Sequence, residues 1–325
     1  MRGCGRYLGG DGGGFVVGWE RRLVAAGVHG RGLREDYSVA GRVFARRILA
    51  HYAVVRLLVA PALQPHLIAA YAFLARTDDL ADQGPLHERL PRWRAWAEQV
   101  ASGLDSGRAQ DPVLRAFLHT VSVRQLPHHW VHTYLKATDE ELHFTGHATE
   151  ADLQRYVDNL ALPALMLIED LQHEGGGDAV FRSRCRSFAE GLQRLDFLAD
   201  LTEDLGEGRL YLPQEDLDRF GVTRAALEQG QGTVAVGELV AFTCRGTREA
   251  LTDSQALLDS TAPSFQPLQR ALLELAEHQL SRVEHAGASV TRRTVGYGLR
   301  RPLSVLLRER RGIRSRKGAP GTPTD

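Results

Sequence analysis

Apolar residues recur along most of this chain at steps of three and four, the period that one face of an α-helix requires. Ile48, Tyr52, Val55 and Val59 follow it, as do Leu67, Tyr71 and Leu74. Leu153, Tyr156, Leu160 and Ala164 repeat the pattern, then Leu192, Leu195 and Leu198. Alternating runs that read as strands are scarce; the best, over 233–240, is short and bounded by glycine. Glycine and proline fall at Gly84-Pro85, Gly175 to Gly177, Gly206 to Pro213 and Gly230 to Gly232, a spacing that separates helices by loops. No repeat or low-complexity linker divides the middle. The pattern predicts one all-α domain over 31–312.

The ends read differently. The first fourteen residues hold seven glycines, and Phe15-Val16-Val17 is too short for a secretion signal or a membrane span. Residues 1–30 are therefore expected to be a disordered leader, or to follow a start site set too early. From Arg308 a basic run passes into Gly, Pro and Thr, so 313–325 are expected to be a solvated tail, with weak attraction to an anionic membrane surface as the livelier alternative.

Composition excludes several classes of function. With 40 basic and 40 acidic residues the chain has no global field to attract nucleic acid. Cys4, Cys185 and Cys244 lack paired spacing, which argues against a disulfide framework or a cysteine zinc site and for a reducing cytoplasm. No nucleophile elbow, phosphate-binding P-loop or dinucleotide fingerprint is present. His128, His129 and His132 lack a second ligand cluster at matching spacing and read as ordinary surface or core histidines.

Two acidic clusters carry the chemistry. Asp78, Asp79 and Asp82 lie in a helical stretch, with Asp78 and Asp82 on one face. Asp196, Asp200 and Asp204 follow at i, i+4 and i+8, with Glu203 adjoining. Like charges at i,i+4 destabilise a helix by roughly 0.2–0.5 kcal/mol per pair. Two such clusters, each led by an apolar turn, read as acids facing an apolar cavity and compensated by a cation. Oxygen-only ligands suit Mg²⁺, with Mn²⁺ as an alternative. Asp139, Glu140 and Glu141 form a third acidic group; a solvated helix face is the first expectation, a second metal site or a base the alternatives.

These segments resemble the signature motifs of the squalene/phytoene synthase family. Tyr71-Ala72-Phe73 with Asp78, Asp79 and Asp82 is similar to its first aspartate-rich motif. Asp200, Glu203, Asp204, Gly208-Arg209, Tyr211-Leu212-Pro213, Glu215-Asp216-Leu217 and Phe220-Gly221 are similar to its second. Tyr37 to Ala40, and Ala151 to Leu153 with Tyr156, are weaker matches in the same order. The resemblance implies a single-domain isoprenoid synthase-like helical bundle with a central apolar cavity, and a prenyltransferase of the alkyl-group-transferring class. It places Mg²⁺ on Asp78, Asp79, Asp82, Asp200, Glu203 and Asp204, where it ionises an allylic prenyl diphosphate. Tyr71 joins the catalytic set; Arg209, Tyr211, Ser38 and Arg42 are the diphosphate-binding candidates.

The chain also departs from the family pattern. Ala75 stands where an arginine is usual, and Arg76 is rotated about 100° from that position. Asp196 and Ala199 replace the usual Asn and Arg, and Leu160 to Leu165 replaces a glycine-containing helix. Two lost cations point to one diphosphate site rather than two, and to an uncharged second substrate. Prenylation of an aromatic carbon in secondary metabolism, with Asp196 as base or as part of the metal shell, is the first expectation. Head-to-head coupling of two prenyl diphosphates is second and a one-substrate terpene cyclase third. A non-catalytic prenyl-binding or assembly factor is disfavoured because every metal aspartate is kept. Chain length, acceptor and oligomeric state are not legible.

Overall fold

The computed structural model describes residues 12–173, 175–298 and 300–318, with side chains from 18 to 313. Its elements in chain order begin with α1 (Gly12–Ala25), α2 (Arg31–Arg47), α3 (Leu49–Leu58), α4 (Gln64–Asp82), α5 (Leu86–Ser106), α6 (Pro112–Arg124) and α7 (His128–Glu141). Then come α8 (Glu150–Tyr156), α9 (Leu162–Glu169), α10 (Ala179–Ala199), α11 (Leu201–Gly206), α12 (Gln214–Phe220) and α13 (Arg224–Glu228). The last are α14 (Val234–Ser254), α15 (Leu257–Ser260), α16 (Gln266–Ala286) and α17 (Arg300–Gly318). No strand occurs among the described residues, as the apolar period predicts.

Several helices start where side-chain chemistry directs. Asp111 accepts from the amides of Val113 and Leu114 ahead of Pro112, capping α6. Thr149 and Asp152 form a reciprocal capping box at α8. Val157–Ala161 is a π-turn between α8 and α9. Pro163 follows it, lacks an amide hydrogen and crowds the carbonyl four residues back, which favours the wider turn.

Two helical groups form the core. α2, α4, α5 and α6 pack together around stacked Phe73 and Phe117, whose centroids are 3.9 Å apart. α10 runs along α14, which also packs on α16. Gly191 permits the α10–α14 approach: an added Cβ would stand 2.7 Å from Leu251 Cδ2. α9 touches α4, α7 and α10 and so joins the groups. The two acidic segments end up facing this seam.

Three expectations need correction. Residues 12–25 form α1, and Leu23 and Val28 are fully buried, so 1–30 is not uniformly a loose leader; residues 1–11 lie outside the described residues. Trp19 Nε1 donates to Ser38 Oγ at 3.0 Å, and the Ala26 carbonyl lies 3.2 Å from His66 Nε2. Glycine dominates only the first fourteen positions; beyond them an apolar stripe has core to dock on. The strand expected over 233–240 is the start of α14, because Thr233 caps it through the Val236 amide and Val236, Leu239 and Val240 are buried. The C-terminal basic run is helical to Gly318, anchored by buried Val305 and partly buried Ile313. Residues 319–325 lie outside the described residues.

Candidate active site

The last two turns of α4 present the first acids. Asp78 accepts from the Tyr134 hydroxyl of α7 at 2.7 Å. Burial pushes the Asp78 carboxyl up to about 6, against the pull of Tyr134 and Arg47. Asp79 accepts from Gln83 at 3.0 Å and lies 3.4 Å from Arg47 at the end of α2. Asp82 is more exposed and pairs with Arg209 at 3.0 Å.

The second acids straddle a break between α10 and α11. The Ala199 carbonyl accepts from the Val295 amide at 2.8 Å, and this inserted donor interrupts the helix at Asp200. Backbone bonds from Asp200 to Asp196 and from Asp204 to Asp200 nevertheless keep the i, i+4, i+8 register. Asp196 is open to solvent yet ringed by protein, the condition of a recess wall; desolvation, then Asp200 and Asp204, push it up to about 7. Burial and Asp200 raise Asp204 to about 7 against the pull of Arg209, and burial with Glu203 raises Asp200. Glu203 is exposed.

The motifs meet through named contacts. Arg209, held by the left-handed Gly208 and by its amide bond to the Asp204 carbonyl, crosses the seam to Asp82. Tyr211 donates to Glu141 Oε1 at 2.8 Å. Its ring stacks on Phe144 and on Phe197, each at 4.7 Å. Tyr156 stands between the motifs: burial raises its hydroxyl well above the usual range, and Glu141, Asp196 and Asp78 all act on it. Asp82, Glu141, Phe144 and Arg209 border a cavity of about 150 Å³ with Thr138 and Glu207. A larger cavity of about 530 Å³, beside Arg194 and Phe242, is lined by Glu215 and Asp216 of the second motif but by none of the residues expected to hold metal or diphosphate.

Tyr71 is partly buried and stacked on Phe44 at 4.6 Å, with its hydroxyl raised by burial and by Glu169. Two candidates are not gathered with the acids. Ser38 Oγ donates to the Arg34 carbonyl and accepts from Trp19. Arg42 is exposed and makes no ion pair among the described residues. Arg76 turns to Asp111 at 3.4 Å, as its rotation about α4 predicts, and Ala75 is buried.

Arg47 and Tyr134 are absent from the sequence expectations, and Glu141 is ranked there as a surface residue. Arg47 lies far from Asp79 in sequence and reaches it only through packing of α2 on α4. Tyr134 and Glu141 are seven apart and share a face of α7, a signal that was available. Glu141 belongs to the site, not to a solvated face: burial raises it to about 7 against the pull of Tyr211 and Arg209.

Among the described residues no three acidic, histidine or cysteine side chains gather into a closed metal cage. The donor set still fits Mg²⁺, which takes one or two carboxylates and completes its shell with water and substrate phosphate. Mutual repulsion at Asp196, Asp200 and Asp204, with Arg209 the cation acting on Asp204, is the electrostatic state that an added divalent cation relieves.

The chain is similar to several known proteins. Over 238 residues the chain is 27% identical to the 15-cis-phytoene synthase of Synechocystis sp., covering 69% of each protein. It is 28% identical over 174 residues to the presqualene diphosphate synthase of Rhodopseudomonas palustris, covering 53% of this chain and 61% of that one. It is 29% identical over 178 residues to the bifunctional protein CrtB/UppS of Streptomyces coelicolor, covering 54% of this chain and only 31% of that longer protein. In fold it is similar to the squalene synthase HpnC of Alicyclobacillus acidocaldarius, with TM-score 0.74, 24% identity and coverage of 81% of this chain and 98% of that one. A dehydrosqualene synthase aligns with TM-score 0.77, 20% identity and coverage of 87% and 98%. The family model for squalene/phytoene synthase matches residues 46–306, across both acidic motifs and the helices that oppose them, and the chain belongs to that family of prenyltransferases.

Proposed function

We propose that this chain ionises an allylic prenyl diphosphate and couples the prenyl group head to head with a second prenyl diphosphate. This reverses the order of acceptors inferred from Ala75 and Ala199. The relatives named phytoene synthase and presqualene diphosphate synthase favour head-to-head chemistry over an aromatic acceptor. The observation that carries the reading is the pair of arginines at the acids: Arg209 on Asp82 at 3.0 Å and Arg47 on Asp79 at 3.4 Å. Counting cations along the two motifs misses Arg47, so the charge deficit is smaller than it looks.

Asp78, Asp79 and Asp82 from α4, with Asp200, Glu203 and Asp204 opposite, would hold Mg²⁺ or Mn²⁺. When bound, the metal neutralises charge developing on the leaving diphosphate. Arg209 and Arg47, exchanging their aspartates for phosphate oxygens, add charge-assisted hydrogen bonds there. Tyr134 orients Asp78. Phe197, Tyr211, Phe144 and Tyr156 pack into one aromatic cluster beside the acids, which would help to keep water from the cationic carbon. Glu141 and Asp196, both raised to about 7, are able to accept the proton that coupling releases.

A second reading retains the aromatic acceptor, favoured by Ala75, Ala199 and the carboxylate at 196. Incubation with Mg²⁺ and farnesyl or geranylgeranyl diphosphate alone distinguishes the two. With no reductant present, head-to-head coupling yields a cyclopropyl diphosphate or a dehydrosqualene- or phytoene-type hydrocarbon, with loss of diphosphate and a proton. Turnover that begins only when an electron-rich aromatic compound is added would overturn the first reading.

A further inference from the structure

The basic C-terminal run is a helix with two faces. One packs on α16 and α3 through Val305, with Glu309 buried beside it. Arg308 pairs with Glu274 and Glu309, and Arg301 lies 2.7 Å from Glu274, so these arginines belong to the packed side. On the other face Arg300, Leu303, Leu307 and Arg311 recur at steps of three and four. Leu303 is 58% and Leu307 46% exposed. Arg300 and Arg310 flank them and make no ion pair among the described residues.

Charge is concentrated here. The chain has 40 basic and 40 acidic residues, whereas α17 alone has seven arginines and one lysine against the single acid Glu309. α3 packs against α17, and its first residue Leu49, 68% exposed, and the preceding Ile48 are apolar side chains open to solvent. Ile48 follows Arg47, which touches Asp79 of the acidic seam. No helix among the described residues is long and apolar enough to cross a membrane.

We propose that the outer face of α17, with the start of α3, is a docking surface for an anionic lipid bilayer that the protein lies on. Leucines flanked by long arginines, with no acid on that face, match an acyl boundary beneath anionic headgroups. Charge argues against a second copy of the chain, since two such helices would repel. The leucines argue against nucleic acid, which needs the arginines alone.

The test is co-sedimentation of the full chain with vesicles of phosphatidylcholine alone and of phosphatidylcholine mixed with phosphatidylglycerol. Binding is expected to the mixed vesicles only, to weaken with added salt, and to fall at least tenfold in Leu303→Gln/Leu307→Gln. Circular dichroism of that variant should match wild type, since both side chains face solvent. Arg300→Gln/Arg310→Gln supplies an independent variant, expected to flatten the salt dependence. Three results would overturn the proposal: no binding to mixed vesicles at low salt, binding unchanged in the leucine variant, or duplex DNA binding without vesicle binding. A dimer that the leucine substitutions dissociate, again without vesicle binding, would assign the face to self-association.

Discussion

Replacing Glu169 by glutamine should stabilise the protein, and increasingly so as pH rises. Glu169 ends α9, is fully buried, and accepts one hydrogen bond, from Gln172 at 2.9 Å; its Oε1 has no partner. Desolvation, with Asp170 adding repulsion, pushes its carboxyl up to about 8 from an ordinary 4.5. The folded state therefore holds a proton that the unfolded chain has released. Stability falls as pH rises from about 4.5 to about 8, because the folded state binds the extra proton across that window. At about 1.36 kcal/mol per pH unit, the cost is ~3 kcal/mol at pH 7 and ~5 kcal/mol at pH 9. Glutamine keeps the acceptor oxygen and cannot ionise. Urea melts of wild type and Glu169→Gln at pH 5, 7 and 9 should diverge steadily. Differences between the two isolate this carboxyl from others that titrate alongside it. Parallel stabilities across the three pH values, or a variant less stable than wild type at pH 9, would refute the reasoning.

Asp78→Asn and Asp204→Asn should each lower turnover at least a hundredfold with unchanged far-ultraviolet circular dichroism, since each removes a ligand carboxylate rather than packing; full activity in excess EDTA would contradict the metal assignment. Arg47→Ala should leave the melting temperature within about 1 °C, its ion pair being half exposed, yet raise KM for the prenyl diphosphate in steady-state assays. Leu23→Ala should cost about 2–4 kcal/mol in chemical denaturation, because Leu23 is completely buried; a loss under about 0.5 kcal/mol would return α1 to the status of a loose leader.

Local pattern was enough for the helical class and for both acidic motifs. Apolar recurrence at three and four, and aspartates at i and i+4, are properties of near neighbours in the chain; α4 presents the first set as spaced, and the second keeps its register across the break between α10 and α11. The rest was decided by what the helices meet. Val234-Ala235-Val236 looks like a strand by its branched residues, but the Thr233 cap and burial against α10 make it helical. Leu23 and Val28 found a partner surface that a glycine-rich beginning gave no hint of. Arg47, Tyr134 and Glu141 reach the acidic residues and Tyr211 from α2 and α7, whereas Ser38 bonds to Arg34 and Trp19 and Arg42 is exposed. Which side chains cross a seam depends on helix approach, such as that set by Gly191 against Leu251, and on interruptions such as the Val295 amide at Ala199. These couple residues far apart in the chain, and no periodicity within one segment encodes them.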